Sequence, residues 1–175
     1  MIPLKEQLDA DVAVIGGGIA GLMAAIAAAD KGARVVLLDK ANTKRSGAGA
    51  TGNDHFLCWI PEKHGDISVV YEEFMDSQNA TSNDTPLVMR FLETSPKIVN
   101  MWNDWGINMK PFGPDYVYMG HAFPDRPRMY VKYDGHNQKE ILVKKAKENG
   151  VHIWAYDCAV TDRSMKLDAP VPVIL

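Results

Sequence analysis

The first clear pattern along the chain is a pair of short apolar runs separated by a stretch of small residues. Residues 11–15 form a mostly apolar run, begun by Asp11, that leads into three glycines. Residues 19–31 have helical spacing, and residues 33–39 form a second, β-branched run. Gly32 stands where the helix should end, because glycine enters the left-handed backbone region without strain. This order predicts a strand, a helix and a parallel second strand joined by a right-handed crossover.

Further along, helical spacing alternates with segments rich in small residues or proline. Residues 40–52 carry mostly small side chains and predict a loop lined by backbone. Asn137 is placed to cap a last helix and Gly150 to follow its end. The pattern predicts helices over residues 67–78, 86–105 and 138–149, and strands over residues 129–133 and 151–154.

Together these elements predict an α/β fold. We expect a Rossmann-like domain with a parallel sheet and helices on both faces, interrupted by a partly helical insertion that begins a capping region. The predicted parts are residues 1–65 (βαβ unit and the small-residue loop that follows it), 66–135 (insertion), 136–165 (return helix and third strand) and 166–175 (tail). Doubly wound sheets usually have more than three strands, so the sequence resembles the N-terminal piece of a longer chain.

Composition and cysteine spacing exclude several classes of partner and site. A formal net charge of −3 and a pI near 5.9 leave little positive charge to bind a phosphate backbone, so no nucleic-acid partner is expected. Cys58 and Cys158 lie far apart in sequence, which predicts a reduced, cytoplasmic chain, and no apolar run approaches the ~20 residues of a membrane span. The spacing of His55, Cys58 and His64 matches no metal-ligand pattern, so no metal site is predicted.

The most informative motif lies between the first predicted strand and helix. Residues 16–21 read Gly-Gly-Gly-Ile-Ala-Gly, which places glycines in the G-x-G-x-x-G pattern directly after a strand and at the start of a helix. In this pattern the first glycine allows a tight turn, the second lets the backbone approach a pyrophosphate, and the third packs helix against strand. The helix N-terminus then favours negative charge, so the motif predicts a dinucleotide site.

An acid follows at the spacing that this site needs. Asp39 ends the second predicted strand, 23 positions after Gly16, close to the spacing at which a carboxylate reaches a ribose hydroxyl. The competing interpretation is a structural glycine turn with an ordinary surface aspartate. The spacing does not separate FAD from NAD.

Residues 11–40, followed by Arg45-Ser46-Gly47-Ala48 and small residues to Gly52, resemble a known family. They are similar to the flavoprotein subunits of the fumarate reductase and succinate dehydrogenase family, and within it most similar to the adenylylsulfate reductase alpha subunit. The resemblance implies FAD as cofactor. Many fumarate and succinate enzymes attach FAD to a histidine after the loop serine, whereas Gly47 stands here, so non-covalent binding is expected.

The resemblance also implies roles for individual residues. The pyrophosphate would lie on the glycine motif, the ribose on the strand-end acid, the flavin along the small-residue loop, and the adenine near the third strand. The implied cofactor-binding residues are Gly16, Gly17, Gly18, Ile19, Ala20, Gly21, Asp39, Lys40, Ser46, Gly47, Thr51, Gly52, Ala159 and Val160. No catalytic residue is carried over, since the family's catalytic residues lie mostly beyond this stretch.

These features predict an FAD-dependent oxidoreductase that transfers a hydride or two electrons to or from a small, anionic substrate, with an iron–sulfur or other electron-transfer subunit as a partner. His121, Arg126 and Arg128 either meet that anion or are solvated charges. Two alternatives remain at this point: a non-catalytic nucleotide-binding fragment or electron-transfer subunit, and an NAD-binding dehydrogenase domain. The four lysines of residues 139–147 predict a solvated helix face. A buried helix face is predicted by the helical spacing of Ile98, Met101, Trp102 and Trp105.

Overall fold

A computed structural model describes residues 9–77, 84–119 and 128–155. The chain divides into two compact units: the first unit comprises the described parts of Met1–Thr51 and Gln138–Leu175, and the second unit is the described part of Gly52–Asn137. No helix within the described residues is long and apolar enough to cross a membrane.

The predicted helices and strands occur in the predicted order, and the described residues contain four further short elements that the sequence did not predict. In chain order they are β1 (Val12–Ile15), α1 (Ile19–Ala29), β2 (Val35–Asp39), a 3₁₀ turn (Thr43–Arg45), β3 (His55–Leu57), α2 (Pro61–His64), α3 (Ile67–Ser77), α4 (Thr85–Asp104), β4 (Tyr118–Met119), β5 (Tyr130–Lys132), α5 (Gln138–Glu148) and β6 (His152–Ala155).

The first unit contains a three-stranded parallel sheet. Its order is β1-β2-β6, with Val12 opposite Val35 and Val36 opposite His152. The central β2 is buried along its apolar run, and α1 and α5 contact each other. The predicted α/β class, with a Rossmann-like parallel sheet and helices, is confirmed. The buried core includes Val14, Leu22, Ile26, Leu37, Leu142 and Ala146.

Glycines end both helices of this unit, as predicted. Gly32 has φ +85° and Gly150 φ +80°, each in the left-handed region after a helix. The predicted cap of α5 is wrong. Asn137 Oδ1 is buried and has no hydrogen-bond partner among the described residues, so its carboxamide oxygen does not accept an amide at the start of α5.

An antiparallel sheet characterises the second unit. Its order is β3-β5-β4, with Phe56 opposite Val131 and Tyr118 also opposite Val131. The predicted strand over residues 129–133 is confirmed as β5. The pairing of β3 with β5 joins residues 55–57 to the second unit, whereas the sequence assigned residues 1–65 to the first part.

Helices α3 and α4 contact each other around Val70, Leu92 and Met129, which form a buried cluster. Asp84 caps α4, since its Oδ1 accepts the amide of Leu87 at 3.0 Å, and proline occupies the first turn. Of the predicted buried face of α4, Trp102 is buried at 2% exposure, whereas Ile98, Met101 and Trp105 are partly buried.

His64, at the end of α2, uses both ring nitrogens. Its Nδ1 accepts the amide of Ile60 at 2.9 Å, and its Nε2 lies 3.0 Å from the carbonyl oxygen of Arg128, to which it donates. This arrangement fits a neutral ring that carries its proton on Nε2. Burial lowers the pKa of His64 below its ordinary value of 6.5.

The titration of His64 gives a first testable prediction. Between the lowered folded pKa and the unfolded value of 6.5, the unfolded chain binds more protons, so the free energy of unfolding falls as pH drops through this window. Above it the contribution is constant. We expect urea unfolding at several pH values to show a shallower acid slope in His64→Gln than in wild type. Equal slopes in wild type and His64→Gln would contradict this assignment.

Candidate functional site

The glycine turn joins β1 to α1 as the sequence predicted. Gly16 has φ +103° and donates its amide to the carbonyl oxygen of Leu38 at 2.8 Å, which ties the turn to β2. A Cβ atom at position 21 would overlap the carbonyl oxygen of Gly16, so only glycine lets α1 pack this closely on the turn. Gly18 is the N-cap of α1, and no side chain of the described residues caps it. The first turn of α1 also lacks an acidic residue, so its amides are suited to an external anion.

Asp39 lies at the end of β2, directly beside this turn. Its carboxylate is 4% exposed, and one oxygen accepts the amide of Ala41 at 3.2 Å. The other oxygen, Oδ2, is buried without a hydrogen-bond partner among the described residues. A Cβ atom on Gly17 would overlap Asp39 Oδ2 and lie 2.6 Å from Thr43 Cγ2. The structure therefore places a carboxylate with one unpartnered oxygen against the glycine turn.

Lys139 also contacts the glycine turn of the first unit. Its side chain is on α5, is 3% exposed, and donates from Nζ to the carbonyl oxygen of Gly17. Burial lowers the pKa of Lys139, and the nearby Asp39 carboxylate opposes that shift. The prediction that the lysines of this helix form a solvated face is therefore wrong for Lys139. Its spacing of three, four and seven positions from buried Leu142, Val143 and Ala146 was the available signal.

The small-residue loop folds back onto the turn. Gly47 has φ +80°, and a Cβ atom there would lie only 3.0 Å from Gly18 Cα, so the loop approaches the N-terminus of α1 through backbone. Ser46 donates its hydroxyl to the carbonyl oxygen of Asn42 at 3.2 Å and stabilises the loop locally. Beneath the loop, Gln138 donates to the carbonyl oxygen of Gly49 at 2.8 Å.

The remaining predicted site residues differ in their placement. Ala20, Lys40 and Thr51 are exposed, and Ile19 is partly buried. Gly52 belongs to the second unit, where a Cβ atom on it would lie 2.9 Å from the carbonyl oxygen of Gly135. Ala159 and Val160 lie outside the described residues. Within the first unit, the structure brings together Gly16, Gly17, Gly18, Gly21, Asp39 and Gly47.

Comparison with known proteins decides which dinucleotide suits this turn. Residues 11–161 match the family of FAD binding domains, which covers most of the chain. The chain belongs to this family. Its cofactor is FAD, which resolves the choice between FAD and NAD that the motif spacing left open. The resemblance to fumarate reductase flavoproteins is also confirmed.

Relatives of this FAD-binding chain are flavin-dependent oxidoreductases. It is 31% identical over 102 residues to the NADH:fumarate oxidoreductase of Klebsiella pneumoniae, a match that covers 55% of this chain and 11% of that protein. It is 30% identical over 101 residues to the fumarate reductase flavoprotein subunit of Helicobacter pylori, covering 55% of this chain and 14% of the subunit. The chain thus spans about an eighth of these relatives' length.

Solved structures share the same architecture. Adenylylsulfate reductase from Archaeoglobus fulgidus matches with a TM-score of 0.68 at 24% identity, over 85% of this chain and 24% of the matched one, which supports a common fold. A flavocytochrome c3 fumarate reductase in its open conformation matches with a TM-score of 0.64 at 25% identity, over 83% of this chain and 26% of that chain. Both matches support the fold described above.

Proposed function

We propose that this protein is the cofactor-binding part of an FAD-dependent oxidoreductase that transfers a hydride or two electrons to or from a small, anionic substrate. One observation carries the cofactor half of the proposal: the buried Asp39 carboxylate keeps an unpartnered oxygen directly against the glycine turn. In an FAD-binding family, a ribose hydroxyl is the donor that satisfies this oxygen.

The other groups of the site take roles that follow from their chemistry. The amides at the start of α1, from Gly18 onward, would bind the diphosphate, helped by the helix dipole. Ser46, Gly47 and Thr51 would lie along the flavin, and a loop without histidine leaves FAD bound non-covalently. When bound, the flavin supplies the two-electron chemistry, while the protein supplies position and electrostatics.

Support for an anionic substrate comes from the relatives, since two of them carry fumarate in their names. Electron delivery through a separate iron–sulfur or similar subunit is part of the same proposal. Gly52, Ala159 and Val160 would complete the flavin and adenine contacts. Reduced, FAD-loaded protein is expected to reoxidise when fumarate or adenylylsulfate is added without air, and reoxidation by neither would contradict the substrate class.

Replacing Asp39 by asparagine tests the cofactor site. Asparagine keeps the shape but loses the charged acceptor, and hydrogen bonds to charged groups contribute about 1.5–3 kcal/mol, so FAD affinity should fall by about 10- to 100-fold. Titration of the chain with FAD, followed by quenching of flavin fluorescence, measures the change. Glu140→Gln, at an exposed acid on α5, is the matched control and should bind FAD like wild type.

Two outcomes would contradict the proposal. Unchanged FAD affinity in Asp39→Asn would show that the ribose does not use this carboxylate. A wild-type chain that binds NADH more tightly than FAD would instead support a dehydrogenase domain.

A further inference from the structure

Lys139 holds a position that the cofactor's own contacts do not explain. It is 3% exposed, although lysine is among the residue types least often buried, and it donates from Nζ to a backbone carbonyl rather than to a carboxylate. That carbonyl belongs to Gly17, in the middle of the glycine turn. A buried ammonium is costly, so the contact must stabilise something in the turn in return.

The contact fixes the direction of one peptide group. In a trans peptide the carbonyl and the following amide point in opposite directions, and no cis peptide occurs among the described residues. Because Lys139 holds the carbonyl of Gly17, the amide of Gly18 points away from α5. Gly18 is the N-cap of α1, where no side chain of the described residues competes for the free amides. Lys139 therefore orients a donor at the site proposed for the diphosphate.

The same ammonium also balances charge. The Asp39 carboxylate acts electrostatically on Lys139 and lies against Gly17. Of the elements that pack most closely on α5, α1 carries no charged residue, and the 3₁₀ turn contributes Lys44 and Arg45, whose side chains are exposed. Asp39 is the charged group that acts on Lys139 within the described part of the first unit.

We propose that Lys139 is a positioning residue of the dinucleotide site, which holds the Gly17–Gly18 peptide in the orientation that binds the diphosphate and supplies a counter-charge to Asp39. This inference rests on the proposed function. The contact acts at the ADP end, so its loss weakens binding of ADP and of FAD by the same factor. If Lys139 only packed α5, its replacement would not be expected to weaken binding of ADP and of FAD by the same factor.

Titrations of the full chain with ADP and with FAD test the inference in wild type, Lys139→Met and Lys147→Met. Methionine keeps most of the length and volume of lysine without the charge or the donor. Affinity of Lys139→Met for both ligands should fall by about tenfold or more, whereas Lys147→Met, at an exposed lysine of α5, should match wild type. Wild-type affinity should also weaken as pH rises toward 10.5, because burial makes Lys139 lose its proton earlier than ordinary lysine, and Lys139→Met should lack this dependence.

If Lys139→Met does not fold, judged by circular dichroism, a second comparison carries the test. Asp39→Asn combined with Lys139→Met removes both charges, and its affinity for ADP should be lower than that of Asp39→Asn alone. Equal affinity of these two variants, or Lys139→Met within about twofold of wild type, would overturn the inference while the FAD site stands. A wild-type chain that binds neither ADP nor FAD would overturn the proposed function itself and this inference with it.

Discussion

Replacement of Gly21 by alanine is expected to lower the free energy of unfolding by about 3 kcal/mol, the upper part of the range for overpacked cores. The added Cβ atom would overlap the carbonyl oxygen of Gly16 and lie 3.4 Å from Val14 Cγ1. The overlapped atom is backbone in a turn that is hydrogen-bonded to Leu38, so it has no rotamer through which to move away. Against a typical total stability of about 5–15 kcal/mol, this loss would unfold much of the first unit on mild heating.

Urea unfolding followed by circular dichroism measures this loss. Gly18→Ala is the matched control, because its Cβ atom would meet only Gly47 Cα, at 3.8 Å, and its backbone is extended. We expect Gly18→Ala to unfold close to wild type. If Gly21→Ala were as stable as Gly18→Ala, the close packing of α1 on the turn would not be a determinant of the fold.

Features encoded within a few residues were predictable from the sequence. The glycine motif between an apolar run and a small-residue helix predicted β1, the turn and α1, because turn chemistry and helix packing there depend on neighbouring positions. The second strand, its terminal Asp39 and the helix-ending Gly32 and Gly150 followed from the same local rules.

Features that depend on distant parts of the chain were missed. Lys139 lies 122 residues from Gly17, and its charged neighbours on α5 favoured a solvated face, although its spacing from apolar residues indicated burial. The strands β3 and β4 have three and two residues, too few for an alternating pattern to register. Their pairing with β5 moved the boundary between units to Gly52, which no local signal marks.

The contact between Gly17 and Asp39 could not be predicted from the sequence either. Spacing predicted an acid near the glycine turn, but it did not show that glycine at position 17 is needed to make room for that carboxylate. Of the four motif glycines, Gly16 makes the turn, Gly17 admits Asp39, and Gly21 packs the helix. Each of these three is explained by the fold.

Gly18 is the exception, and its replacement is expected to have a large effect on the binding of FAD and ADP. Its φ of −67° and ψ of −178° suit any residue, and a Cβ atom there would make only an ordinary contact, so the fold does not require glycine. The proposed site instead explains the glycine at this position, because a side chain at the N-terminus of α1 would occupy the space proposed for a diphosphate. Gly18→Leu is therefore expected to lose affinity for FAD and for ADP by on the order of 100-fold, about 2.7 kcal/mol, while its urea unfolding stays near that of wild type.

Quenching of flavin fluorescence measures this loss of affinity, and the affinity of Gly18→Ala is expected to fall between those of wild type and Gly18→Leu. A Gly18→Leu chain that binds FAD within about threefold of wild type would show that no diphosphate lies at this turn, because a bulky side chain and the cofactor cannot share the same space.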